Sequence, residues 1–249
     1  MKKLYGLIGF PLGHSKSVEF FTNKFREAGL TGYSYRLFPL PDIAELLPMI
    51  DQLPDLRGFN VTIPYKEKIV PFLAEMDEEA QKAGCANVVL LDRKQGQCRM
   101  TGYNTDAPAF LDSLAGIDHH YHALILGTGG VSKAVASTFD KLNIDYLFVS
   151  RNPTNTKQIT YQLLWQDPSV ISQHTLIVNA TPVGMFPNDH DCPDIPYDQL
   201  SHRHMLYDCI YNPAYTLFLR NGAGQGAQIK SGMEMFLKQA ELTYGLFLK

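Results

Sequence analysis

The chain has 249 residues, of which 45% are hydrophobic and 19% charged, with a formal net charge of −3. That length can bury one large core or two modest ones, and the slightly acidic balance argues against nucleic acid or an anionic membrane as partner. Four widely spaced cysteines, Cys85, Cys98, Cys192 and Cys209, form no C-x-x-C pair, which argues against a zinc site or a disulfide framework and fits a reducing cytoplasm. The first nine residues are basic and then apolar, but the run is too short for a signal peptide and Pro11, Gly13 and His14 interrupt it. No stretch approaches the roughly 20 apolar residues of a membrane span.

In chain order, residues 4–9 read as a buried strand, followed by a loop and a helix that Ser15 or Ser17 would cap. Residues 33–40 read as a second strand and residues 42–50 as a short helix. In Gly58-Phe59-Asn60-Val61-Thr62-Ile63-Pro64-Tyr65-Lys66, Phe59, Val61 and Ile63 alternate with Asn60 and Thr62, a strand pattern that Pro64 ends. A helix is expected from Lys66. A lysine at a helix start opposes the macrodipole, so it is better explained by an anion or a reaction, with a solvated surface lysine as the plain alternative. A helix over residues 78–83 stops at Gly84, and residues 87–92 and 98–103 read as a hairpin around Lys94-Gln95-Gly96.

Asn104-Thr105-Asp106 opens a helix toward Leu114 and leads into a second domain. There, strands are expected at residues 123–126, 145–149, 175–178, 205–208 and 227–229, with Gly127-Thr128-Gly129-Gly130 and a helix over 131–142 after the first. This run of βα units predicts a doubly wound parallel sheet. The last stretch, 232–248, reads as a helix with Met233, Phe236, Leu237, Ala240 and Tyr244 on one face. The expected class is α/β. Its two domains are a first α/β domain over residues 1–105 and a Rossmann-like domain of βα units from residue 106.

A strand, a glycine turn and a helix place free N–H groups and a positive dipole end against a pyrophosphate. Gly127 and Gly129 fit the G-x-G-x-x-G spacing, while Ser132 holds the third position; a tight turn without a ligand would use the same glycines. One strand later, where an NAD binder places an acid, this chain has Ser150-Arg151-Asn152, which suits a ribose phosphate, with Lys157 as a second charge. Ser15 and Ser17 at a helix start offer hydroxyls to a carboxylate. Asp106 is a helix N-cap or first-turn acid or, with Thr105 and Lys66, half of a Lys–Asp pair beside a substrate hydroxyl. Thr62 and Asn87 add neutral hydrogen-bonding groups, a set suited to a small polyhydroxylated molecule. His119, His120, His122, His202 and His204 read as solvated loop residues, since no acids or cysteines converge at metal-binding spacing. Trp165 and most tyrosines read as packing.

The ordered set of motifs resembles the shikimate dehydrogenase family across nearly the whole chain. It runs Gly9-Phe10-Pro11 with His14-Ser15-Lys16-Ser17, then Asn60-Val61-Thr62-Ile63-Pro64-Tyr65-Lys66-Glu67, Gly84-Cys85-Ala86-Asn87 and Asn104-Thr105-Asp106. The glycine turn follows, then Asn179-Ala180-Thr181-Pro182-Val183-Gly184-Met185, Asp208-Cys209-Ile210-Tyr211-Asn212-Pro213, and Gly232 and Met235 with Gln239-Ala240. The resemblance implies reversible NADPH-dependent reduction of 3-dehydroshikimate to shikimate, a step toward chorismate and the aromatic amino acids. It implies a cytoplasmic enzyme, monomeric or homodimeric, with a substrate domain over residues 1–105 completed by the returning last helix, 233–249, and an NADP-binding domain over 106–232. With substrate and cofactor sites on different domains, closure of the cleft is expected. Ser15 and Ser17 would hold the substrate carboxylate. Thr62, Asn87, Asp106, Tyr211 and Gln239 would hold ring hydroxyls, with Lys66 and Asp106 as the catalytic pair. Gly127, Thr128, Gly129, Gly130, Val131, Ser150, Arg151, Asn152 and Thr181 would hold NADP, with Cys209 and Gly232 near the nicotinamide. No metal is implied.

The chain departs from the family pattern at Val18, at Ala107-Pro108, at Ser150 and Asn152, and at Asn155, where some members carry a second arginine. Two rivals follow: a quinate/shikimate dehydrogenase using NAD, and a noncatalytic relative that binds shikimate.

Overall fold

In the computed structural model, residues 2–13, 15–94, 97–115 and 122–249 are described. The chain divides into two compact units, Met1–Pro108 with Lys238–Lys249, and Ala109–Leu237. Both division points fall inside helices, α4 (Asp106–Ser113) and α9 (Met233–Phe247).

In the first unit, β1 (Lys3–Gly9), α1 (Ser17–Glu27) and β2 (Tyr33–Pro39) are followed by α2 (Leu46–Gln52) and β3 (Leu56–Val61). Then come β4 (Glu75–Met76), α3 (Glu78–Ala83), β5 (Val88–Lys94) and β6 (Gln97–Tyr103). They form one mixed sheet in the order β2-β1-β3-β5-β6-β4. β1 runs parallel to β2 and β3, whereas β3–β5 and β5–β6 are antiparallel. β3 lies at the centre and is buried on both faces, Phe59 and Val61 as well as Asn60. One face carries Leu4, Ile8, Phe59, Val61 and Val89; the other carries Tyr5, Leu7 and Val88 under Phe21, Phe25 and the last helix. The buried stripe of α9 in this unit is Ala240, Thr243 and Phe247, while Leu237 is 46% exposed. α3 ends as expected at Gly84, whose φ of 62° is the left-handed conformation that glycine tolerates.

The expected helix from Lys66 is absent. The segment folds into turns leading to a 3-10 turn at Val70–Phe72. Pro71 sits inside that segment and has no N–H to continue an α-helical ladder. The dipole argument for Lys66 therefore falls. The serines differ too: Lys16 occupies the α1 cap position without a side-chain cap, and Ser15 Oγ accepts from the Ser17 N–H instead.

In the second unit, β7 (Ala123–Leu126), α5 (Gly130–Leu142), β8 (Tyr146–Ser150) and β9 (Gln158–Thr160) precede α6 (Tyr161–Gln166), α7 (Pro168–Gln173) and β10 (Leu176–Asn179). β11 (Met205–Asp208), α8 (Leu217–Gly224) and β12 (Gln228–Ser231) complete it. The sheet order is β12-β11-β10-β7-β8-β9, parallel throughout. This is the doubly wound Rossmann arrangement, with its reversal between β7 and β10. Ala123, Ile125, Val178 and Tyr207 face one core, and Leu124, Leu126, Ile177 and Leu206 the other, as expected for strands covered on both faces. Edge strand β9 and the short helices α6 and α7 went unexpected from sequence.

Two side chains differ from their expected surroundings. Trp165 is 50% exposed, and His204 is buried, bonded to Ser201 and to the Ile171 carbonyl. The expectations for His14, Gln95-Gly96, His119 and His120 fall outside the described residues.

Candidate active site

The topology of the first sheet brings the polar candidates to one end. β1 and β3 run parallel, so the loop carrying Ser15 and Ser17 and the segment Thr62–Lys66 both leave the sheet on that side. β5 and β6 are antiparallel to their neighbours in turn. Asn87 therefore enters β5, and Thr105 and Asp106 leave β6, at the same end. Main-chain bonds fasten the loops together: Thr62 N to Ile8 O, Phe10 N to Ile63 O, Val61 N to Asn87 O and Ala86 N to Lys66 O.

At this end Lys66 Nζ donates to Asp106 Oδ2 at 2.6 Å, with side-chain exposures of 12% and 7%. Asn87 Nδ2 donates to Asp106 Oδ1 at 3.0 Å and to Thr105 Oγ1 at 2.8 Å, while Asn87 Oδ1 accepts from Thr105 N at 2.7 Å. The amide orientation is dictated, because a carboxylate only accepts and a main-chain N–H only donates. Asn104, which was not singled out as a site residue, caps α4 by accepting from Ala107 N, and Asp77 holds the Asn104 N–H. Asp106 is thus the first residue of its helix and not its cap. Its two oxygens divide cleanly: Oδ1 to the asparagine, Oδ2 to the lysine.

The other substrate candidates are placed as follows. Ser15 is half-buried and Ser17 buried; Thr62 and Gln239 are half-buried in the same unit. Tyr211 belongs to the second unit, its ring stacked on Phe236 with centroids 4.1 Å apart.

In the second unit the glycine turn sits at the β7 end of the topological switch. Gly127 has φ of 100°, and a Cβ there would lie 2.9 Å from Thr181 Cγ2, so the backbone path requires glycine. Thr128 and Gly129 are exposed, and α5 begins at Gly130 with no side-chain cap. Val131 follows, half-buried. The next residue, Ser132, is fully buried, and its Oγ has no hydrogen-bond partner among the described residues. An uncapped 13-residue helix, a left-handed glycine before it and an orphaned hydroxyl in its first turn together fit a phosphate group.

Across the switch, Thr181 is fixed by Asn179 Oδ1, which accepts from its N and its Oγ1. Asn179 Nδ2 in turn donates to Asp208 Oδ1, and Asp208 also accepts from Thr216 Oγ1 at 2.6 Å and Ile210 N. Burial pushes the Asp208 carboxyl up to about 6, against the pull of these three donors. Cys209 N bonds to Asn179 O. Gly232 approaches Cys209 so closely that a Cβ would lie 2.4 Å from the Cys209 carbonyl oxygen. Neither Asn179 nor Asp208 was among the expected site residues; both are the floor beneath those that were.

After β8, Ser150 Oγ accepts from Asn152 N at 3.1 Å, leaving Arg151 and Asn152 exposed. Lys157 does not join them. Its ammonium lies 4.6 Å over the ring of Tyr146, the first residue of β8, whereas Arg151 follows the last. Three strand residues lie between the two ends of β8, which four rises set about 13 Å apart.

Comparison with known proteins gives a consistent result. A family model described as the shikimate dehydrogenase substrate binding domain matches residues 7–89. A shikimate dehydrogenase (NADP(+)) of Carboxydothermus hydrogenoformans is 33% identical, covering 97% of this chain and 90% of that one. The crystal structure of shikimate dehydrogenase 1 from Peptoclostridium difficile superposes with a TM-score of 0.86 at 32% identity, covering 99% and 91% of the two chains. That of shikimate 5-dehydrogenase from Thermus thermophilus, in complex with NADP(H) and shikimate, does so with a TM-score of 0.81 at 28% identity, covering 98% and 93%.

Proposed function

The chain belongs to the shikimate dehydrogenase family, and on that premise we propose that it is an NADP-dependent enzyme that interconverts 3-dehydroshikimate and shikimate. The observation that carries this reading is the buried Lys66–Asp106 pair, with Asn87 on the second carboxylate oxygen. A buried ion pair adds little stability beyond what apolar residues of the same volume would give. Its presence among strand-end loops is accounted for by chemistry.

Lys66 Nζ delivers a proton to the developing alkoxide during reduction and takes it back during oxidation. Asp106 Oδ2 keeps the ammonium in place between turnovers. Asn87 spends both amide protons on Thr105 and Asp106, so it serves a substrate hydroxyl as an acceptor through Oδ1. Ser15 and Ser17 hold the carboxylate, and Thr62, Asp106, Tyr211 and Gln239 hold the remaining hydroxyls.

NADP, when bound, takes up or gives the hydride. Gly127, Thr128, Gly129, Gly130 and Val131 hold its pyrophosphate, supported by the uncapped α5 and the orphaned Ser132 hydroxyl. Ser150, Arg151 and Asn152 would hold the ribose phosphate, Thr181 would add to the cofactor site, and Cys209 and Gly232 would lie near the nicotinamide. A cytoplasmic location and a monomeric or homodimeric state belong to the same reading. No helix among the described residues is long and apolar enough to cross a membrane. Shikimate oxidation with NADP, followed by reduced-nicotinamide absorbance, tests the proposal.

A further inference from the structure

Thr243 is fully buried on α9, in the first unit. A helical threonine commonly satisfies itself by bonding back to the carbonyl four residues earlier, and Thr243 Oγ1 does so, donating to Gln239 O at 2.8 Å. Two further contacts are not explained by that habit. Thr105 Oγ1 lies 3.3 Å from Thr243 Oγ1, and Asn60 Nδ2 lies 3.4 Å from it. Since the single Thr243 proton goes to a carbonyl, which only accepts, Thr243 is the acceptor in both.

The direction of every proton then follows. Thr105 O–H points at Thr243, which leaves Thr105 Oγ1 to accept from Asn87 Nδ2. The second Asn87 N–H goes to Asp106 Oδ1, and Oδ2 is left for Lys66. Behind Thr243, Asn60 Oδ1 accepts from Tyr35 at 2.8 Å, and its Nδ2 also reaches the Asn87 carbonyl. Remove the Thr243 acceptor and the Thr105 hydroxyl loses the partner that keeps its oxygen turned to accept from Asn87 Nδ2, the amide that in turn orients the carboxylate.

We propose that Thr243 is a positioning residue for the Lys66–Asp106 pair, acting through Thr105 and Asn87. The same hydroxyl also bonds the main-chain carbonyl of Gln239 one turn earlier, but the ladder of α9 itself holds that carbonyl, so loss of the hydroxyl bears on the carboxylate and not on substrate binding. The inference rests on the reading of Lys66 and Asp106 as the catalytic pair.

The test compares Thr243→Val, which keeps the volume and removes the hydroxyl, with Thr243→Ser, which restores it. For each, kcat and the shikimate dissociation constant are measured, together with hydrogen exchange of the Asn87 side-chain amide by 15N NMR. The expected result for the Val variant is about a tenfold loss of kcat, a dissociation constant within about threefold of wild type, and faster amide exchange. The Ser variant is expected to return both readouts to near wild type. Wild-type kcat and slow exchange in the Val variant would overturn the proposal, as would equal impairment of Val and Ser, which would assign the effect to packing. If the Val variant does not fold, Thr243→Ala is compared with Thr243→Ser by the same criteria. If wild-type protein does not oxidise shikimate, the proposed function fails, and Asn87 amide exchange alone decides whether Thr243 orients the network.

Discussion

The hydroxyl of Tyr5, in the first strand, donates to the main-chain carbonyl of Phe247, in the last helix, at 2.6 Å. The two rings stack with centroids 4.3 Å apart, and Phe21 lies 5.4 Å from the same phenyl group. The C-terminal helix is thereby pinned to the sheet that carries Lys66 and Asp106. Its inner face holds Thr243 in the polar network.

Loss of that anchor reaches both stability and substrate binding. Phe247→Ala is expected to cost about 3–5 kcal/mol, as for other fully buried phenylalanines, and to weaken shikimate binding through Gln239. Urea unfolding and calorimetric titration with shikimate measure the two effects. An unchanged unfolding midpoint would remove Phe247 as the anchor.

Lys66→Ala is expected to lower kcat by about 10²–10⁴-fold if its ammonium does general acid–base work. Shikimate should still bind, since the serine loop and the Thr62 segment are fastened by main-chain bonds that do not involve the lysine side chain. Near-normal turnover with substrate binding intact would take Lys66 out of the mechanism.

Arg151 and Lys157 should behave differently under the same substitution. Arg151→Ala is expected to weaken NADP binding by roughly 10–100-fold, the range of a charge-assisted hydrogen bond, and to leave NAD binding nearly unchanged. Lys157→Ala should change neither by more than about threefold, because its ammonium rests over Tyr146. Dissociation constants for both nucleotides decide this. Equal losses for NADP and NAD in the Arg151 variant would contradict a ribose-phosphate role.

Asp208 gives a pH dependence of defined sign. Its folded carboxyl is raised by burial to about 6, against about 3.9 in an unfolded chain. The folded state therefore holds the proton more tightly. The cost of the buried charge is present in full above pH 6 and is relieved as pH falls toward 4, by about 3 kcal/mol in all. Asp208→Asn should remove that component, seen as a flatter slope of unfolding free energy between pH 4 and 6. Parallel slopes in variant and wild type would contradict it.

Much of this arrangement is legible in the chain. The second unit follows from apolar strands punctuated by turn residues, a pattern in which local chemistry and fold agree. The Lys66, Asn87 and Asp106 motifs also identify themselves. What is not legible depends on tertiary context. Pro71 stops a helix whose pattern begins at Lys66, and β9 is a three-residue edge strand without a hydrophobic signal of its own. His204 is buried because two carbonyl and hydroxyl partners await it from Ile171 and Ser201. Lys157 reads as a phosphate ligand until β8 places Tyr146 under it. Thr243 is one turn beyond Gln239, but its significance depends on Asn60 and Thr105, far away in sequence.

The most direct measurement is absorbance at the reduced-nicotinamide band with purified protein, shikimate and NADP, repeated with NAD and with quinate. The account predicts a rise with shikimate and NADP, and much slower rates when either is replaced. A rise with quinate or NAD at comparable rates would keep the catalytic pair and contradict the assigned specificity. No rise in any combination, from protein shown to be folded and to bind shikimate, would contradict the account at its centre.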